Sequence, residues 1–517
     1  MRKVTGLILP PEGDERTLSA LAAAELGVDE GEISALRILK KSLDARRKSN
    51  LHWLYSVGVT LRSDEPEAAE DYPIPAVDAP LKRPVVVGFG PAGMFAALVL
   101  ARAGARPIVL ERGEDALTRK ARIDAFRAGG ALDGECNVQF GEGGAGTFSD
   151  GKLNTGTHDG RINFVLREFA AHGAPESVTY DAKPHIGTDV LIDVVQRLRA
   201  DVLAHGGEVR FGSKLVGIHI ENSAVRGVEV ERDGEKYAID CNKVVLATGH
   251  SARDTFALLR DLGVPMERKS FSMGARIEHA QSAIDLAQYG TARGALPPAD
   301  YALSVHLPDG SSAYTFCMCP GGEVFAAASE PGGVVTNGMS YAARDGKNAN
   351  SALLVTVKSE DFPYPGVLGG VEWQREIERR AFSCGGENYF APAQTVGDFL
   401  KNKPSTGPKN VRPTYTPGVK WGDIRAVLPR QVTDVMAKAL PELGRRLRGF
   451  DAPEAVLTAP ETRSSSPVRI TRDETRQSAV RGLYPCGEGA GYAGGITSSA
   501  VDGVRCAEAL LAALTED

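Results

Sequence analysis

Apolar and polar positions alternate over 4–9, 33–39 and 53–61, and recur at helical spacing over 18–26, where Gly27 stops the run. Period-two alternation predicts strands, and a glycine after a helical run predicts a C-cap. Residues 1–62 are therefore expected to form a small N-terminal α/β domain. Residues 63–83 are acidic, contain prolines and follow no period, which predicts a linker.

From 84 onward the apolar runs become short and unbroken, as in strands buried on both faces. Val85-Val86-Val87 leads into Gly88-x-Gly90-x-x-Gly93, a helical stretch covers 94–103, and a second apolar run, 107–110, ends in Glu111. Helical patterns follow over 116–127 and most of 161–205, then strands at 208–211, 215–221 and 224–231, and an apolar run that stops at Thr248-Gly249. Between 265 and 450 prolines and glycines are frequent and the strands are short (273–277, 302–305, 313–318, 324–328 and 353–357), with helix expected within 424–447. A strand at 483–486 and a helix over 497–514 close the pattern. The fold class predicted is α/β. A Rossmann-like dinucleotide-binding domain is built from 84–264 and 451–517, and a β-rich (α+β) substrate domain, 265–450, is inserted into it.

The βαβ order around the first glycine cluster gives it chemical meaning. Gly88 permits a tight turn, Gly90 lets the backbone approach a pyrophosphate, and Gly93 lets the helix pack on the strand. The helix start at Pro91 and Ala92 offers unbonded N–H groups and a positive dipole end. Glu111, eighteen positions beyond Gly93, is placed to accept from ribose hydroxyls, with Arg112 beside it. The glycine-dense run 140–152 carries Gly146, Thr147 and Lys152; it is expected to be neither helix nor strand, but a loop over the pyrophosphate and ring. Thr248 and Gly249 end a second strand at the same site, and Leu215 borders it. Gly487 and Glu488 follow the last strand, and Gly494, Gly495 and Ile496 open the last helix. A carboxylate there can accept from a ribityl hydroxyl, and a helix start can face the electron-rich edge of a flavin ring. This C-terminal half-site predicts FAD as the cofactor.

Composition narrows the partners. The chain has 517 residues, 42% hydrophobic and 24% charged, with a formal charge of −6, which argues against a nucleic-acid or membrane binder. No run is long and apolar enough to span a bilayer, and no signal core follows Met1, so a cytoplasmic location is expected. The seven cysteines include no CxxC and no zinc-type spacing with histidine, so neither a disulfide framework nor a metal site is expected. The basic cluster 40–48 reads as solvated surface, with an anion or RNA contact as the alternative.

Four features carry candidate chemistry. Cys317 and Cys319 alternate on a predicted strand, so both thiols are expected on one face, toward the flavin. They can form a reducible disulfide, act singly as nucleophile or acid, or simply pack. His250, just past Thr248-Gly249, is a candidate proton carrier or a structural histidine. Asn337 and Asn350 can hydrogen-bond a polar substrate or stabilise turns. Lys152, Arg253, Arg276, Arg344 and Arg463 are candidate anion holders, Arg463 foremost because hydroxyls flank it. Only one complete GxGxxG unit is present, so a nicotinamide cofactor, NAD(P)H, is expected to bind transiently at most.

Together these segments resemble FAD-dependent oxidoreductases with a glutathione-reductase-like FAD domain. The resemblance rests on Gly88-x-Gly90-x-x-Gly93, Glu111-Arg112-Gly113, Val244 to Gly249 and Tyr484-Pro485-Cys486-Gly487-Glu488. A closer resemblance is to the bacterial and plastid NAD(FAD)-utilising dehydrogenases. It is carried by the runs 141–153, 249–254, 316–322, 336–340, 348–352 and 461–467, and it covers nearly the whole chain. The resemblance implies FAD and an oxidoreductase activity without naming a substrate. The expected function is a dehydrogenase or reductase acting on a small or medium polar molecule. The alternatives are an RNA-modifying flavoprotein and a non-catalytic flavin-bound sensor or assembly factor. The sequence leaves the oligomeric state open.

Overall fold

Five strands of three residues each form a parallel sheet, in the order Leu483–Pro485, Val244–Leu246, Val85–Val87, Ile108–Leu110 and Glu208–Arg210. The structure is a computed structural model and describes residues 1–65, 72–291 and 293–516. The expected linker, 63–83, lies in part (66–71) outside the described residues.

Successive side chains on a strand point to opposite faces. Val86, Val109, Val245 and Tyr484 join the core formed with helices Pro91–Arg102, Thr188–Ala204 and Ile496–Glu516. Val85, Val87, Leu110, Val244 and Leu246 join the core of an antiparallel meander, Lys214–Glu221, Ala224–Arg232 and Glu235–Asp240. Both faces are covered, which is why these strands read as unbroken apolar runs. Four of the strands end at Gly88, Glu111, Ala247 and Cys486, all of which line one cleft at the sheet's carboxyl edge.

The second large sheet has seven strands, in the order Ser304–His306, Ser312–Cys319, Asn348–Val357, Phe271–Ala280, Val456–Glu461, Ala391–Thr395 and Val419–Trp421. All neighbours are antiparallel except the last pair. Helix Arg430–Arg446 buries Val432, Val435, Met436, Ala439, Leu440 and Leu443, a stripe at helical spacing, in this sheet's core. Strand Val456–Glu461, grouped by sequence with the C-terminal segment 451–517, lies inside the seven-stranded sheet. The chain rejoins the parallel sheet only at Leu483–Pro485. Between the two, Met266–Arg268 pairs with Val468–Ile470, so exit and return run side by side.

The N-terminal unit is a three-stranded antiparallel sheet, with His52–Leu61 between Arg2–Leu9 and Ile33–Asp44. Helix Leu18–Leu26 packs on it through Leu18 and Ala22. Its second strand extends five residues past the expected end at 39 and takes in part of the basic cluster. Lys41 exchanges backbone hydrogen bonds with Tyr180 and Ala182 (2.9 and 2.8 Å), which docks this unit on the segment that precedes helix Thr188–Ala204. The Lys41 ammonium meets Glu15 at 2.6 Å, and Lys48 donates to the Ala287 carbonyl at 2.6 Å. These groups are engaged within the chain, so they lend nothing to the RNA-contact alternative. Among the described residues no helix is long and apolar enough to cross a membrane.

Candidate active site

The cleft has a volume of about 470 Å³ and lies between the two large sheets. One end is the turn after Val87. Gly88 sits at φ +95°, and a Cβ there would stand 2.4 Å from the Ala247 carbonyl oxygen. A Cβ on Gly93 would stand 1.8 Å from the Gly88 carbonyl oxygen, so Gly93 is a packing position beneath the cleft rather than part of its lining. Gly90 is different. A Cβ there has room, with Gly144 Cα nearest at 3.5 Å, so its bare backbone answers to the cleft and not to packing. The first bond of the helix is Met94 N–H to Gly90 O at 2.8 Å, which leaves the preceding N–H groups at the open end, beside the cleft.

Glu111 accepts from three backbone N–H groups: Phe89 at 2.8 Å, and Gly113 and Gly141 at 2.9 Å each. It ties the glycine turn to the 140–152 run and still lines the cleft, with lone-pair capacity left for a ribose hydroxyl. Arg112 is fixed over the Phe140 ring, 4.2 Å from its centroid, and pairs with Glu135 and Asp254 at 2.6 and 2.9 Å. The glycine-dense run is not wholly irregular, because Gly144–Thr147 makes one helical turn. That turn is held from behind by Arg119, a buried guanidinium that donates to the carbonyls of Asn137, Val138, Gly141, Glu142 and Gly144 at 2.7–3.3 Å. Gly146 and Lys152 line the cleft, whereas Thr147 is buried with its hydroxyl toward the Glu142 carbonyl.

On the C-terminal side, Glu488, Gly494, Gly495 and Ile496 line the cleft. Gly495 N–H lies 3.4 Å from Glu488, and burial pushes the Glu488 carboxyl up to about 7. Gly487 is off the cleft; its N–H donates to Asp502 at 2.8 Å. Leu215, Thr248 and Gly249 line the wall as expected. His250 lines it too, but burial, reinforced by Arg463 and Arg253, drives its pKa down to about 3. It is therefore a neutral imidazole near pH 7, bonded to Ser251 at 3.2 Å, and not an imidazolium proton donor.

Arg463 reaches the cleft wall with its charge already matched. It donates to Glu378 at 3.0 and 2.7 Å, to Ser329 at 2.5 Å and to Ser251 at 3.2 Å. Arg253 grips the same carboxylate at 2.8 and 2.7 Å, and together the two arginines hold Glu378 well below the usual carboxylate range. These residues tie the helix after Thr248-Gly249 to helix Gly369–Gly385 of the inserted domain.

The other end of the cleft is formed by Cys317, Asn337 and Glu461. Here the expectation for the cysteines fails for a local reason. Phe316 pairs with Ala352 but Cys319 pairs with Asn350, so the strand carries one extra residue, a β-bulge. Cys317 sits there at φ +46°, and the period-two rule breaks. Cys317 lines the cleft while Cys319 is wholly buried behind it. Behind both, buried Arg276 donates to the Cys317 carbonyl (2.9 Å), to Asn350 (3.1 and 2.5 Å) and, at longer range, to Glu461 (3.3 and 3.5 Å). Asn350 is thus wholly buried and holds Arg276, so it is not a substrate contact; Asn337 stays at the cleft. Burial raises Glu461 to about 7 despite Arg276. Sequence reasoning singled out neither Glu461 nor Gln139, Ser251 and Asn154, which also line the cleft. Glu461 heads a run already noted for Arg463, and Ser251 lies in the run 249–254; Gln139 and Asn154 carry no local signal.

Three comparisons bear on this site. A family model described as "FAD-dependent protein, C-terminal domain-like" matches residues 270–464, and one described as "FAD dependent oxidoreductase" matches 192–310. A domain of unknown function matches 1–60. A Clostridium beijerinckii protein described only as "Uncharacterized protein" is 44% identical over 529 aligned positions, covering 98% of each chain. Among solved structures, flavin-dependent brominase Bmp2 aligns at 12% identity with a TM-score of 0.40, over 84% of this chain and 80% of that one. A geranylgeranyl bacteriochlorophyll reductase-like protein of Thermoplasma acidophilum aligns at 14% with a TM-score of 0.38, over 84% and 79%.

Proposed function

The chain belongs to one family with the Clostridium protein, a family of FAD-dependent oxidoreductase domains, and from that premise we propose that it oxidises or reduces a small or medium polar substrate at the Cys317 end of the cleft. The residues present fit FAD. Gly90 leaves backbone bare where packing does not require it, and two long helices begin at the same cleft. Gly88, Gly90, Pro91, Ala92 and Glu111 would hold the ADP half. Gly146, Lys152, Thr248, Gly249, Glu488 and the Gly494–Ile496 helix start would hold the remainder. FAD, when bound, supplies a two-electron centre able to exchange a hydride with a substrate.

The protein's own groups set the conditions at the far end. Glu461 can take up or release a proton at its carboxylate near neutral pH, where a general acid or base works best. The Asn337 side chain offers a polar contact, with its carbonyl oxygen held by Gly338 N–H at 2.8 Å. Neutral His250 and the matched Arg463 line the wall without adding an unpaired charge. The observation that carries the reading is the continuity of one cleft from the glycine turn to Cys317 and Glu461. A nicotinamide would act as a transient reductant at that end.

The test is anaerobic mixing of the FAD-loaded protein with NADH, NADPH and small polar reductants, followed by admission of oxygen or another acceptor. At least one reductant is expected to bleach the flavin in repeated turnovers. A flavin that no reductant bleaches in catalytic excess would instead mark a bound sensor.

A further inference from the structure

We propose that Cys317 and Cys319 form a dithiol–disulfide couple that exchanges an electron pair with the bound cofactor, Cys317 reacting from the cleft and Cys319 resolving from behind it. The inference rests on the oxidoreductase reading of the cleft. On a regular strand, residues two apart lie roughly 6.6–6.8 Å from each other, near the upper limit for a disulfide. The bulge changes that relation. With Cys317 in a left-handed conformation, the Cys319 sulfur turns back to 3.3 Å from the Cys317 carbonyl oxygen and 3.7 Å from Arg276 Nη2. A non-glycine residue held at positive φ on a cleft wall is a strained position retained by its surroundings.

The two thiols are unlike in the way such a couple needs. A hydrogen bond from Cys319 lowers Cys317 to about 6, against the cost of burial and with help from Lys152 and Arg276. Burial keeps Cys319 a thiol, well above its ordinary value. An accessible thiolate attacks and a buried thiol resolves. The step balances. The Cys317 thiolate and Cys319 S–H join through one S–S bond, and the S–H proton and the electron pair pass to oxidised FAD, giving its singly protonated reduced form. The reverse step restores thiolate and thiol.

Two measurements test it. Both cysteines fall in one tryptic peptide, 294–344, which holds no other cysteine. FAD-free protein oxidised with diamide, alkylated and digested is expected to yield this peptide unalkylated and lighter by two hydrogens, and Cys317→Ser is expected to abolish that species. Two alkylated cysteines after oxidation would overturn the couple. Anaerobic dithionite titration of air-oxidised, FAD-loaded protein is expected to consume four electrons per flavin in the wild type and two in Cys319→Ser, with Cys319→Ala as the second variant if the serine form fails to fold. Two electrons in the wild type would overturn the couple. A wild type that takes up two electrons yet turns over a substrate would leave the proposed function standing and remove only this inference.

Discussion

Two buried arginine–carboxylate clusters flank the cleft, and they are built to opposite ends. In one, Glu378 accepts from Arg253 and Arg463 at 2.7–3.0 Å and from the Thr462 hydroxyl at 2.7 Å, and its carboxyl lies far below the usual range. In the other, Arg276 stands 3.3–3.5 Å from Glu461, whose carboxyl rises to about 7, and the Asn350 amide nitrogen beside it has no hydrogen-bond partner. The first is a short, shared ion cluster at the junction of two lobes. The second spreads one guanidinium over a carboxylate, an amide, a carbonyl and a thiol. The difference is one of pairing and of proton affinity: closely matched buried charges rigidify a junction, whereas a carboxyl raised toward neutral pH at a cleft wall is a candidate for chemistry.

The largest expected effect breaks the holding cluster. Glu378→Ala takes away the carboxylate of buried Arg463 and leaves Arg253 with Glu330 alone, at 2.8 Å, and is expected to cost about 3–5 kcal/mol, read as a drop in the urea midpoint or as loss of soluble protein. Glu461→Gln removes a carboxyl already near half protonation at pH 7 and is expected to cost about 1 kcal/mol or less. Equal costs at the two sites would erase the distinction.

A pH series sharpens the comparison. The folded pKa of Glu461 is above its unfolded value of about 4.3, so the native state holds this proton more tightly. Its stabilising contribution is full below that unfolded value and is lost as pH rises through about 7. The folded pKa of Glu378 is depressed, so its contribution is present above the unfolded value and is lost as pH falls. Urea midpoints of wild type and Glu461→Gln are expected to diverge as pH rises from about 5 to 7, with the variant losing less. Parallel curves would show that the carboxyl is not perturbed. The smallest effect is kinetic. Arg276→Gln removes one cation from the Cys317 neighbourhood, so the pH midpoint of iodoacetamide labelling at Cys317 is expected to move up from about 6. An unchanged midpoint would leave Cys319 and Lys152 as the cause.

These clusters also mark the limit of what the chain's pattern reveals. The glycine turn, Glu111 and the C-terminal helix start were legible because each uses a local rule: a short strand, a fixed spacing, a helix origin. The Cys317 end of the cleft was not. The bulge at Cys317 is one extra residue against a partner strand some 35 positions away, and no period within 313–318 encodes it. Arg276, Glu461 and Asn350 meet because three strands are adjacent in a sheet whose order runs out of sequence. Gly338 shows the same dependence: a Cβ there would stand 1.9 Å from Arg276 Nη2, a reason for glycine visible only once the sheet is formed. His250 sits where the strand end predicted, but its protonation state follows from Arg253 and Arg463, the latter more than 200 positions on.

The most direct test of the account is a crystal structure of the FAD-loaded protein. The ADP half is expected against Gly88–Ala92 and Glu111, and the isoalloxazine ring at the end lined by Cys317, Asn337 and Glu461. A ring seated away from that end, or FAD bound outside this cleft, would contradict it.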